Sequence, residues 1–216
     1  MKILEAKKLI ELEEIISTYP KVTTLLFDMD GTIINTEILH AKAIVETIAH
    51  FENKAPLSAD EITHAFCGMP DNLVFFKLQQ DHALFPSINF DTFVERKNLE
   101  LNKYLNSENL IPSLLVGIDL FLQKAKNEGF KIALVTASER SITHTILENS
   151  GLKQYFDRII TRQDTKNSKP EPDPYLHALE SLGSNASEAI VFEDSVHGIE
   201  AATKARVQAI IKALWF

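Results

Sequence analysis

Four short segments carry residue types suited to one kind of chemistry. In "LLFDMDGTIINTE" (25–37) Asp28 and Asp30 stand one residue apart, where an apolar run breaks at Gly31. Thr136-Ala137-Ser138 follows "KIALV", Glu193-Asp194 follows "AIVF", and Lys169 lies in "SKPEPDPY" (168–175). The carboxylates of Asp28, Asp30, Glu193 and Asp194, if brought together, raise one another's pKa unless a cation sits among them. Hard oxygen ligands without a cysteine or histidine cluster suit magnesium, which is usually held by one or two carboxylates together with waters and phosphate oxygens. One aspartate can attack while ligating the metal, and the second, pointing the other way, can act as general acid and base. Phosphoryl transfer mainly demands positioning and charge neutralisation, and Lys169 with the hydroxyl and amides of Thr136 and Ala137 complements the equatorial oxygens. Taken singly, each element has an ordinary explanation: Asp-Gly is turn chemistry, and Asp194 or Ser195 is a natural helix N-cap. Their joint placement is what points to a site.

That placement depends on the elements around them. "VTTLLFD" (22–28) is apolar and β-branched with little alternation, as expected of a strand buried on both faces of a parallel sheet. From Pro112 onward, stretches of helical period alternate with short apolar runs: helix "SLLVGIDLFLQKAKNEG", strand "FKIALVT", helix "SERSITHTILENSG", strand "FDRIIT", helix "DPYLHALESLG", strand "AIVFED", helix "SVHGIEAATKA", strand "VQAII". Strands separated by helices imply right-handed crossovers and an α/β fold with a doubly wound, mostly parallel sheet. Ligands of such sheets bind beyond the carboxyl ends of the strands, where all four segments converge. Between the first strand and this alternation the pattern is helical only, and "SADEITHAF" opens with a capping box, Ser58 and Glu61. The expected division is an N-terminal helical extension over 1–21, a core over 22–35 and 107–216, and an inserted all-α domain over 36–106. The extension is read from apolar residues at helical spacing over 3–16, ahead of Tyr19-Pro20.

Totals exclude several classes. The 216 residues are 45% hydrophobic, with 22 Lys and Arg against 30 Asp and Glu, a net charge of −8 and no basic cluster to neutralise a run of phosphates. Nucleic acid is not an expected partner. Cys67 is the sole cysteine, too few for a disulfide or thiolate metal site within the chain. Acidic residues interrupt the N-terminal segment, and no apolar run reaches membrane-spanning length, so the expected protein is cytoplasmic with no membrane partner. Its expected state is a monomer or weak homodimer.

The segments together resemble the haloacid dehalogenase (HAD) superfamily, in its helical-cap phosphatase and β-phosphoglucomutase-like branch. "FDMDGTIINTE", "KIALVTAS", "SKPEPDPY" and "VFEDSVHGIEAA" match its four motifs in order. The resemblance implies a Rossmann-like core and a helical cap, and magnesium-dependent hydrolysis of a small soluble phosphomonoester through an aspartyl-phosphate. By that resemblance Asp28 is the nucleophile, and Asp30 protonates the leaving oxygen and then activates water. Thr136, Ala137 and Lys169 hold the phosphoryl group. Mg2+ is expected on Asp28, the main-chain oxygen of Asp30, and Asp194, with Glu193 assisting. Relatives that remove halogen from carbon lack an acid matching Asp30, so phosphate ester chemistry is preferred. Alternatives are a sugar-phosphate mutase and a non-catalytic regulatory protein that retains the cleft. In mutases of this branch a cap loop after a glycine like Gly68 carries an arginine that grips a second phosphate. Here Gly68-Met69-Pro70-Asp71 places an acid there, which would repel such a phosphate. His40 matches a cap histidine of some relatives, and Asn35 with Thr36 falls at the expected hinge. Arg206 stands where the family usually has glycine, so the turn before the last strand must be made differently.

Overall fold

The computed structural model describes residues 2–53, 56–66, 69 and 71–216. Along the chain, β1 (Lys2–Ala6), α1 (Leu12–Thr18) and β2 (Thr24–Phe27) come first. The helices α2 (Glu37–Glu52), α3 (Ala59–Phe66), α4 (Asp71–His82), α5 (Phe90–Asn102) and α6 (Ser107–Leu110) follow without a strand among the described residues. The rest alternates: α7 (Ile118–Asn127), β3 (Lys131–Val135), α8 (Arg140–Asn149), β4 (Arg158–Ile160), α9 (Asp173–Leu182), β5 (Ala189–Glu193), α10 (Val196–Lys204) and β6 (Ala209–Ala213). Two compact units result, one of Met1–Asn35 with Leu110–Phe216 and one of Thr36–Asn109.

In the first unit the strands form one parallel sheet in the order β1-β6-β5-β2-β3-β4. The chain leaves β2 towards β3 and β4, then returns to the other side of β2 through β5 and β6. The order therefore reverses between β2 and β5, and the crevice for a ligand lies at their carboxyl ends. Phe27 and Phe192, paired in register, are the last apolar residues before Asp28 and Glu193. Their rings stack at 4.4 Å, and Phe121 of α7 meets both edge-on at 6.1 and 5.9 Å. Leu26, Val191 and Val135 belong instead to a core with Tyr175, Ala178 and Leu179 of α9. The helical unit has its own core, in which Phe75, Phe85 and Phe93 cluster with Ile44, Ile48 and Leu78. Its capping box forms as expected: Ser58 N donates to Glu61 Oε2 at 2.8 Å and Glu61 N to Ser58 Oγ at 3.3 Å.

Three expectations need correction. Residues 1–21 are no helical extension: Lys2–Ala6 is a strand parallel to β6 at the sheet edge, and only Leu12–Thr18 is helical. Backbone pairing with β6, more than 200 residues away in sequence, overrides the helical spacing of Ile3 and Ala6. The helix expected from Ser113 begins only at Ile118, because this stretch pairs with the end of the first motif: Asn35 N donates to Ser113 O at 2.8 Å and Leu115 N to Ile33 O at 3.0 Å. The last strand runs Ala209–Ala213, two residues beyond the expected "VQAII". Arg206 makes the turn before it in the left-handed region, at φ 58°.

Phe192→Ala empties a packed site next to Glu193 and should lower folding stability by about 3–5 kcal/mol, read as a lower denaturant midpoint. Arg206→Gly relieves a left-handed strain of about 1–2 kcal/mol while adding about 0.5–1 kcal/mol of backbone entropy to the unfolded chain. A net gain of about 0.5–1 kcal/mol is expected from the same measurement.

Candidate active site

The carboxyl ends of β2, β3 and β5 meet at one ammonium group. Lys169 Nζ donates to Asp28 Oδ1 at 2.5 Å, to Val135 O at 2.9 Å and to Glu193 Oε1 at 2.8 Å. Its side chain is 6% exposed, and the charge lies 5.1 Å from the centre of the Tyr175 ring. Glu193 is buried and takes donors on both oxygens: Tyr175 Oη at 3.4 Å besides Lys169 on Oε1, and Ser195 N at 2.7 Å and Ser195 Oγ at 3.0 Å on Oε2. Ser195 also caps α10, accepting from Gly198 N at 3.0 Å. A Cβ on Gly198 would lie 1.5 Å from Glu193 Oε1, so only glycine leaves this carboxylate its place.

Asp28, Glu193 and Asp194 each offer an oxygen, all within 4.8 Å of one another. Asp194 is held from the first loop, where the buried Thr32 donates to its Oδ1 at 3.1 Å. Gly31 turns the chain there at φ 80°, and a Cβ on it would stand 2.3 Å from Asp194 Oδ2. Both the left-handed turn and this close approach require glycine. The Asp30 carboxylate accepts from Ser138 Oγ at 2.8 Å and is outside that cluster, while Ser138 N donates to Thr136 Oγ1 at 3.0 Å. Thr136 is buried and Ala137 exposed at the end of β3.

Fully ionised, the three clustered carboxylates would face one ammonium, an excess of two negative charges. The titration follows. Burial pushes Asp28 well above the ordinary carboxylate range, against the pull of Lys169. Burial and the Glu193 charge push Asp194 up to about 6. Burial opposes the charge of Lys169, but Asp28 and Glu193 outweigh it and hold the ammonium protonated well above its usual range. A divalent cation among these oxygens would cancel the excess, and the donor set is of the hard, all-oxygen kind that suits magnesium.

The structure thus brings together Asp28, Lys169, Glu193 and Asp194, with Asp30 and Thr136 joined through Ser138. The other expected residues belong to different surroundings. Asn35 ends the sheet-bearing unit and Thr36 begins the helical one. His40 is half-buried on α2. Met69 is 36% exposed, and Gly68 lies outside the described residues, as does Cys67. Asp71 needs correction: it is no bare acid, because the buried Lys97 ammonium of α5 forms an ion pair with it. The reading that Asp71 repels a remote phosphate loses its physical basis with that pairing. Sequence reasoning assigned no role to Ser138, Tyr175, Thr32, Gly198 or Lys97. The first four lie inside the quoted motifs, but their roles are contacts that residue type alone does not announce.

Asp194 gives a pH test. In chelator, its folded-state value of about 6 exceeds the ordinary 3.8, so the folded protein keeps a proton that the unfolded chain has lost. Its contribution to stability therefore rises as pH falls through about 6 towards 3.8. Urea midpoints in chelator at about pH 7 and pH 5 should show a larger gain on acidification for the natural protein than for Asp194→Asn. Equal gains would sink the assignment.

The comparisons agree with this geometry. The sequence model of the haloacid dehalogenase-like hydrolases matches residues 25–212. Pyrophosphatase PpaX of Bacillus pumilus is 32% identical over 179 residues, covering 82% of this chain and 77% of its own. Fructose-1-phosphate phosphatase YqaB of Escherichia coli is 29% identical over 193 residues, covering 89% and 97%. Among solved structures, a HAD hydrolase of family IA, variant 3, from Entamoeba histolytica superposes with a TM-score of 0.73 at 26% identity, covering 87% of this chain and 82% of that one. With six parallel strands in this order and acidic groups at the reversal of the sheet, the chain belongs to the haloacid dehalogenase-like hydrolase family.

Proposed function

We propose that the protein is a magnesium-dependent phosphatase that hydrolyses a small phosphomonoester through a phosphorylated Asp28. The observation that carries this reading is the meeting of Asp28, Lys169, Glu193 and Asp194 at the strand ends, with Asp30 held apart on Ser138. In the first step a carboxylate oxygen of Asp28 attacks phosphorus, the ester P–O bond breaks, and Asp30 gives its proton to the leaving oxygen. In the second, Asp30 takes a proton from water as the water oxygen attacks the same phosphorus, freeing inorganic phosphate and the Asp28 carboxylate. Lys169, Thr136 and the amide of Ala137 neutralise and orient the oxygens in transit. Ser138, tied to both Asp30 and Thr136, sets the acid-base group relative to the oxygen-binding loop. Asp28, Asp194 and the main chain at Asp30, with Glu193 close by, would hold magnesium, which supplies charge neutralisation to the nucleophile and the phosphoryl oxygens.

The helical unit, inserted in the chain between β2 and β3, is assigned the choice of substrate. The named relatives act on a sugar phosphate and, by name, on pyrophosphate, so both belong in the substrate panel beside glycolate, glycerol and nucleotide phosphates.

Phosphate release should require magnesium and stop in excess chelator. Asp28→Asn should lower turnover by at least about 10^3-fold with the circular dichroism spectrum unchanged. Asp30→Asn should lower turnover by about 10^2- to 10^4-fold, and with a nitrophenyl ester, whose leaving group needs no proton, it should still release one burst of nitrophenol before stalling at the phosphorylated Asp28. Isomerised product without net phosphate release would instead identify a mutase. Absence of any turnover by the folded, magnesium-loaded protein would overturn the enzymatic reading.

A further inference from the structure

The segment after β6 returns to the catalytic loop. Leu214 N donates to Ala6 O at 2.8 Å, extending the β1–β6 pairing past its last strand residue, and Lys212 pairs with Glu5 at 2.7 Å across the same two strands. One residue further, Trp215 Nε1 donates to Thr32 O at 2.9 Å. Thr32 is fully buried; its amide donates to Met29 O at 3.2 Å and its hydroxyl to Asp194 Oδ1 at 3.1 Å. A single residue therefore links the indole to an acidic group of the proposed cation site. None of the proposed chemical steps uses Trp215, and sealing the sheet end would not require its N–H to meet this particular carbonyl.

We propose that Trp215 is a positioning residue for the cation site. Its N–H fixes the Thr32 peptide, so that the Thr32 hydroxyl stays aimed at Asp194 and the carboxylate is already oriented when the cation arrives. The N-terminal strand has its purpose here: by pairing with β6 and with Leu214, β1 holds the segment that carries the indole. The inference rests on the magnesium reading of the site given above, and deepens it.

Trp215 is the sole tryptophan of the chain, so its emission reports on this link without a label. Magnesium binding to the natural protein is measured by calorimetry and, in parallel, by tryptophan emission. The emission should change saturably with the calorimetric midpoint. Trp215→Phe, which keeps a ring and removes the donor, should weaken magnesium binding by about two- to tenfold, the worth of one net hydrogen bond. The magnesium needed for half-maximal phosphate release should rise by the same factor, with turnover at saturating magnesium little changed. Phe216→Ala, at an exposed neighbour, should behave as the natural protein does. Calorimetric binding with unmoved emission, or unchanged affinity in Trp215→Phe, overturns the inference and leaves the phosphatase reading standing. A natural protein that binds no magnesium overturns the metal assignment and this inference with it. Should Trp215→Phe not fold, Thr32→Val, which removes the hydroxyl that carries the link to Asp194, decides by the same calorimetry: weakened magnesium binding supports the inference and unchanged affinity overturns it.

Discussion

One buried ammonium holds the functional end of this sheet together. Lys169 spends its three N–H groups on Asp28, on Glu193 and on the last carbonyl of β3, so the ends of β2, β3 and β5 share a single charge. A buried charge is tolerable only when paired and hydrogen-bonded, and here the dependence is mutual. Glu193 could not be dry without Lys169, Tyr175 and Ser195, and Lys169 could not be dry without the carboxylates. The backbone around them is constrained accordingly. Gly31 and Gly198 stand where any side chain would collide with Asp194 or Glu193.

The arrangement satisfies hydrogen bonds but leaves negative charge in excess, and that imbalance connects structure to chemistry. Burial first, and the repulsion of neighbouring carboxylates second, raise the affinity for protons at Asp28 and Asp194. Proteins rarely keep such a cluster for stability, since the packing of Phe27, Phe192 and Phe121 beneath it supplies cohesion at no electrostatic cost. The stacked aromatic layer keeps the strands in register, and the register places Asp28 and Glu193 at the same level on adjacent strands. Precision in the site thus derives from the core directly below it.

The segment after β6 reaches the loop that follows β2. β1 lies at the sheet edge, pairs with β6, and steadies the segment from which Trp215 reaches Thr32. Periodicity alone misassigned this region, because Ile3 and Ala6 match a helical stripe as well as a short edge strand, and only the partner strand decides between them. The delayed start of α7 has a similar origin, since the residues ahead of it are taken up in pairing with Ile33 and Asn35. Asp71 repeats the lesson for charge. Its type is legible, but whether it repels or balances depends on Lys97, 26 residues away.

The sequence by itself determined the α/β alternation, the all-helical insertion and which acidic and basic residue types stand at the strand ends. These follow from local quantities: the period of apolar residues, capping and turn chemistry, and residue types at strand ends, in an order that chance seldom produces. The tertiary structure alone decided which of those residues touch. Lys169 meets Asp28 across 141 residues, Trp215 meets Thr32 across 183, and Lys212 meets Glu5 across 207. Contacts at such separations are set by how strands order themselves in the sheet and by which buried charges must be compensated. Neither is a property of any window of sequence.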